Sequence, residues 1–183
     1  MEHLEEIAIR AVTSENGRET LELAVRPEQQ RFISEYAPIA AIALAKAYIR
    51  SSGMTWTPYA IHTGAMMVGF FALACEPDTG DQYWLFHFFI DRRYQGRGYG
   101  RAALERITEL VRREYPQCRA LQLTVHPDNL AAQRLYAAAG FQPTGSERWG
   151  EPVYRLTFDP AADAKDASLD AEAAHEEQCK DDL

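Results

Sequence analysis

Cysteine is scarce in this chain. The three present among 183 residues, Cys75, Cys118 and Cys179, are odd in number and widely separated, with neither CxxC spacing nor a histidine at zinc-finger distance. That pattern excludes a disulfide scaffold and a Cys/His zinc site, and it suits a reduced, cytoplasmic setting with no metal. A basic surplus is missing too. The 19 Lys and Arg stand against 27 Asp and Glu, which removes the electrostatic footprint that nucleic-acid binding requires. Long hydrophobic runs are also absent: the longest, GAMMVGFFALAC, is far short of the roughly 20 residues that span a bilayer. The opening MEHLEEIAIR is acidic where a secretory leader is basic. The expectation is a soluble protein whose partner is neither a membrane nor a nucleic acid.

What negative charge there is lies at one end. Nine acids and two lysines follow Phe158, so residues 1–158 hold 17 basic and 18 acidic side chains and are close to neutral. The chain is 46 % hydrophobic and 11 % aromatic, ample for one buried core within 1–158. The Ala/Asp/Glu-rich segment 159–183 has no apolar side to pack and reads as a flexible acidic tail.

Periodicity predicts the elements. Ile7, Ile9 and Ala11 alternate with polar neighbours as a first strand. RPEQQRFISEYAPIAAIALAKAYIR reads as helix interrupted at Pro38. PYAIHTGAMMVGFFALACE suggests two strands joined around Thr63-Gly64, and the aromatic QYWLFHFFI suggests a central strand buried on both faces. Leu104, Ile107, Leu110 and Val111 then recur at helical spacing, and ALQLTVH alternates as a strand. LAAQRLYAAAG predicts a further helix, capped by Asp128 or Asn129 and ended by Gly140 in the left-handed conformation. Phe141 and PVYRLTF supply the last strand material.

Between the central strand and the helix after it lies RRYQGRGYGRAAL, Arg92 to Leu104, with glycines at 96, 98 and 100. A glycine-rich turn entering a helix is a physical solution for binding phosphate, because bare N–H groups converge on the anion and the helix N-terminus adds about half a positive charge. A nucleotide P-loop would need Lys followed by Ser or Thr, which is missing here. The dinucleotide pattern G-x-G-x-x-G survives only in a degenerate form from Gly98, and the two strand candidates behind it are too few for that sheet. QGRGYG, Gln95 to Gly100, matches Q/R-x-x-G-x-G/A instead. Further on, N-x-x-A-x-x-L-Y-x-x-x-G-F is met by Asn129, Ala132, Leu135, Tyr136, Gly140 and Phe141. In these two motifs the chain resembles the GNAT superfamily of acetyl-CoA-dependent N-acetyltransferases, over about Tyr83 to Phe158.

That resemblance implies an α/β fold of α+β type: a mixed, strongly bent sheet flanked by helices and splayed open after its central strand, with acetyl-CoA in the gap. It implies that main-chain groups around Phe88, Phe89 and Ile90 pair with the pantetheine arm. Gln95, Gly96, Arg97, Gly98, Tyr99, Gly100 and Arg101 would form the pyrophosphate loop, the N–H groups of Arg97, Gly98, Gly100 and Arg101 taking the anion and the Arg93, Arg97 and Arg101 side chains adding charge. Asn129 matches a residue that contacts the cofactor arm, and a plain helix N-cap is the competing reading. Tyr136 matches the superfamily's acid, which protonates the departing thiolate; the alternative is a ring packed in the core. His87 could relay the amine proton or be a satisfied core histidine. The superfamily's frequent glutamate base has no counterpart, since Trp84 falls near its place, and water is a further candidate.

YQGRGYGRAAL, with RPEQQRFI, AKAY and GEPVYRL, is most similar within that superfamily to bacterial diamine and polyamine N-acetyltransferases of the spermidine and spermine type. A polycation calls for carboxylates and aromatic faces, which nominates Glu28, Glu35, Tyr36 and Trp84. Rival acceptors are a protein N-terminus, a lysine or an aminoglycoside, and a catalytically silent acyl-CoA sensor is the rival from another class. Dimers are common in the superfamily, which makes a homodimer one candidate state, though the residues themselves do not decide it.

Overall fold

Aromatic and branched residues form β1 (Ile7–Ala11), β2 (Thr55–Thr63), β3 (Met66–Cys75) and β4 (Gln82–Ile90). Each pairs antiparallel with the next. A computed structural model describes residues 6–33, 38–76 and 79–158; the tail from Asp159, with Glu35 and Tyr36, lies outside the described residues. β5 (Ala120–Thr124), β6 (Gln142–Arg148) and β7 (Glu151–Thr157) complete a seven-stranded sheet of order β1-β2-β3-β4-β5-β7-β6. The strand read as central is therefore central, and the sheet is mixed and open.

β4 and β5 run parallel, as a strand–helix–strand link requires. Their pairing stops after Gln82–Ala120, Tyr83–Leu121 and Trp84–Gln122. Beyond Trp84 the two strands part. The cause is an extra residue in β4: its register against β3 passes from Phe89–Phe70 to Phe86–Ala72, so His87 and Phe88 together oppose Phe71. His87 takes φ +52°, a left-handed conformation that a side-chain-bearing residue rarely adopts. Such a bulge bends the strand that carries it.

Helices cover both faces. α2 (Ile39–Ile49), which follows the four-residue α1 (Gly17–Thr20), buries Ile39, Ala40 and Ala43 with Ala60, Phe70 and Ala72. On the other side α3 (Tyr99–Glu114) turns Leu104, Ile107 and Val111 into a cluster with Ile61, Leu73 and Leu121. α4 (Leu130–Ala138) adds Tyr136 to that cluster. Among the described residues no helix is long and apolar enough to cross a membrane.

Two expectations need correcting. The helix anticipated from Arg26 begins as a 3-10 segment, Pro27–Phe32, because the Gln29 side chain accepts the Arg26 amide at 3.1 Å and closes a tight first turn. α2 starts only after Pro38. The chain end holds two strands where the sequence suggested one. β6 is exposed at all but its last residue, so it has no alternation to read, and it is joined to β7 by a tight turn in which Trp149 (φ +54°) and Gly150 (φ +79°) are both left-handed.

Candidate active site

Where β4 and β5 part, a cavity of about 310 Å³ opens between the end of β4, α4 and the glycine loop. Phe88, Phe89, Ile90, Gln95, Gly96 and Gly100 are among the residues that line it. A second cavity of about 310 Å³ is lined by Phe86, His87, His126, Trp149 and Glu151, among others. Phe88, Asn129 and Tyr136 belong to both walls, so the two cavities are halves of one cleft that meet at Tyr136.

The backbone of β4 is turned to serve the first half. Asp91 donates its amide to the Val68 carbonyl on β3 at 2.8 Å. Since main-chain groups alternate in direction along a strand, those of Phe89 face β3 and those of Phe88 and Ile90 face the gap. The Ile90 carbonyl accepts from Gln95 Nε2 at 2.9 Å, and the same nitrogen donates to Gln29 Oε1 at 2.9 Å. Gln95 thus ties the loop to the strand and to the 3-10 segment.

Gly96 (φ +79°) and Gly98 (φ +87°) carry the loop into α3, with Gly98 as its N-cap. The amides of Tyr99 and Gly100 stand in the first turn, where no intrahelical acceptor exists. The Arg101 amide does not join them: it donates to the Gly98 carbonyl at 3.1 Å. Its guanidinium pairs with Glu105 at 3.0 Å, and that of Arg97 lies 6.0 Å from the Tyr94 ring centre. Arg93 is committed to Asp91 at 2.7 Å. Burial alone would raise the Asp91 pKa, but Arg93 and the backbone amides of Ala24 and Arg93 hold it below the usual value. This buried carboxylate pins the start of the loop, a role with no signal in the local sequence.

Asn129 caps α4, its Oδ1 accepting the Ala132 amide at 3.2 Å, and it also borders both halves of the cleft. The two readings of this residue are compatible. Tyr136 is 8 % exposed, with its ring 6.5 Å from Phe88 and 5.7 Å from Phe141. Burial, with the Glu151 charge adding, pushes its pKa well above 10. The phenol therefore keeps its proton throughout the neutral range.

His87 is placed in the cleft but is poorly equipped as a proton relay. Burial and the neighbouring Lys46 charge push its pKa down to about 4. Nε2 lies 3.4 Å from Lys46 Nζ; with Lys46 charged, that nitrogen is an acceptor already used, and Nδ1 carries the proton. Lys46 itself rests over the Trp56 ring at 4.9 Å, and burial lowers its pKa.

Trp84 and Glu28 are not brought to the cleft. Trp84 is 4 % exposed and donates Nε1 to Glu76 at 3.1 Å, beneath the Arg148 guanidinium. Glu28 is exposed on the 3-10 segment and borders neither half. The sequence reading missed Gln29, Phe32, His126, Trp149 and Glu151. Trp149-Gly150-Glu151 carries a turn signal, but only the pairing of β7 beside β5 brings that turn to Tyr136.

A bent, splayed sheet with a glycine loop at the mouth of α3 is the architecture of the Acetyltransferase (GNAT) family, whose model matches residues 18–141; the chain belongs to this family and is an N-acetyltransferase. It is 32 % identical over 139 residues to the Spermine/spermidine N(1)-acetyltransferase of Bacillus subtilis, covering 76 % of this chain and 90 % of that one. Among solved structures it resembles the aminoglycoside acetyltransferase AAC(6')-Ib in complex with coenzyme A, with a TM-score of 0.69, 18 % identity, and 85 % and 96 % of the two chains covered. It also resembles the spermidine N-acetyltransferase from Vibrio cholerae in complex with CoA and spermine, with a TM-score of 0.62, 16 % identity, and 84 % and 95 % covered. At these identities the solved structures support the fold.

Proposed function

We propose that this chain transfers the acetyl group of acetyl-CoA directly to a primary amine of a small polycation, such as spermidine, spermine or a diamine. The observation that carries this reading is the continuity of the cleft, from the glycine loop through Tyr136 to a half lined by aromatic rings and a carboxylate. The residues present suit the cofactor. Left-handed Gly96 and Gly98 leave the loop backbone bare before a helix N-terminus, which suits a pyrophosphate. The Phe88 and Ile90 main-chain groups offer strand-like pairing to an extended, amide-bearing arm.

Acetyl-CoA supplies an acetyl group activated as a thioester. The amides of Gly98, Tyr99 and Gly100 hold the anion, and Gln95 keeps the loop in register with β4. Tyr136 holds its phenolic proton until the sulfur departs and then donates it, the role its raised pKa suits. The acceptor must reach the junction as a neutral amine to attack, and with the His87 ring engaged by Lys46 the proton leaves through water. The B. subtilis relative supports the acceptor class.

Thiol release from acetyl-CoA tests the proposal against spermidine, spermine, putrescine, a lysine peptide and an aminoglycoside. The highest kcat/KM is expected among the polyamines. Preference for the peptide or the aminoglycoside would reject the acceptor, and binding of coenzyme A with no thiol release on any amine would favour the silent sensor.

A further inference from the structure

Among the described residues, the acceptor half of the cleft has one formal charge. Of its described lining residues, Glu151 alone is an Asp, Glu, Lys or Arg. Glu151 opens β7 and pairs across the turn with Arg148, yet Arg148 does not neutralise it. The Arg148 guanidinium forms its ion pair with Glu76 and lies between the Trp84 and Trp149 rings, 4.4 and 4.3 Å from their centres. Lys46 is engaged with His87, its Nζ 3.4 Å from Nε2. Among the described residues Glu151 has no ion-pair partner, and its charge is felt at Tyr136.

Trp149 completes the feature. It is a large ring left 60 % exposed, held at the tip of a tight turn by a left-handed backbone, and set 5.5 Å from the Phe86 ring. Both rings line the same half of the cleft as Glu151. A carboxylate beside two aromatic faces is the chemistry that attracts an alkylammonium. The attacking amine has to be neutral, so that ammonium is a different nitrogen of the same molecule.

We infer that Glu151, with Trp149 and Phe86, holds a non-reacting ammonium of the acceptor, so that the β6–β7 turn selects amines that bear a second positive charge. This assignment rests on the proposed function, in which the acceptor enters that half of the cleft.

Calorimetric titration of the full-length protein with spermidine, in the presence of coenzyme A, tests it. Glu151→Gln should weaken spermidine binding by about tenfold or more, the effect of losing a charge-assisted hydrogen bond, while coenzyme A affinity stays level. Glu28→Gln removes the same charge outside the cleft and should change spermidine binding by less than about twofold. Wild-type protein that does not bind spermidine, a Glu151→Gln variant that binds it as wild type does, or an equal loss in both variants would each overturn the assignment. Thiol release from acetyl-CoA, measured separately on the same three proteins with spermidine, reads the chemistry. Glu151-dependent binding without turnover defeats acetyl transfer and leaves the anchor standing, whereas turnover with Glu151-independent binding does the reverse.

Discussion

Gly98 and Gly100 look alike in the sequence and differ in the structure. Gly98 sits at φ +87°, so a branched residue there strains the loop before any ligand arrives. Gly100 has a helical backbone, and an added Cβ would meet Leu135 and Ile90 at 3.7 and 3.8 Å, ordinary contacts. Gly98→Val should therefore cost coenzyme A affinity heavily, and Gly100→Ala should leave the fold intact and bind much more tightly than Gly98→Val; calorimetry on both variants decides. At Tyr136, phenylalanine keeps the buried ring and removes the donor. Tyr136→Phe should lower kcat by roughly 10²- to 10⁴-fold with coenzyme A affinity near wild type, and an acyl donor with a more acidic thiol should recover much of the loss. His87 sets an acid limit. Its folded pKa of about 4 lies below the unfolded value of about 6.5, so the unfolded chain binds the proton more readily. The stability that neutral His87 confers is full above pH about 6.5 and is lost as pH falls towards 4, by up to about 3 kcal/mol. Denaturant titrations at pH 7 and 4.5 should show this loss in the wild type and a smaller one in His87→Asn.

β4 is the element on which the site depends, and its neighbour β3 holds it by close approach. A Cβ at Gly69 would stand 2.5 Å from the Phe89 carbonyl and 3.0 Å from Ile90 Cδ1. Gly69→Ala must push β4 away where Ile90 faces the cleft. It should lower stability by about 1–3 kcal/mol and weaken coenzyme A binding, both measurable by thermal melts with and without ligand. β4 was also the easiest element to read, because eight consecutive apolar or aromatic residues, Tyr83 to Ile90, leave few alternatives to a buried strand. What the sequence did not disclose is the bulge within it. A histidine in a left-handed conformation has no local signature, since the surrounding sheet imposes the strain. β6 escaped for the opposite reason: an exposed edge strand has no buried side to pattern it. The glycine loop and Tyr136 were singled out by the two motifs that carry the family resemblance, and both border the cleft. Glu151 and Trp149 were not, because strand order brings them to the cleft from far along the chain.

At the scale of the whole molecule, the sheet is two blocks, β1–β4 and β5–β7, and within the sheet three residue pairs between β4 and β5 are the seam that joins them. The seam ends where the cleft begins. A ligand lying in the gap would act as a clasp, fastening the blocks along the length the strands leave unfastened. Binding would then register as cohesion as well as affinity. Saturation with coenzyme A at 100 times its Kd adds about 2.7 kcal/mol to the folded state, and the seam determines where that gain is felt. Hydrogen exchange should slow at Phe88 and Ile90 on one lip and also at Leu123 and Thr124 on the other, which lie past the last β4–β5 pair. Protection confined to the first turn of α3 would mean that the blocks are already locked through their shared core, and that the ligand merely rests on a finished frame.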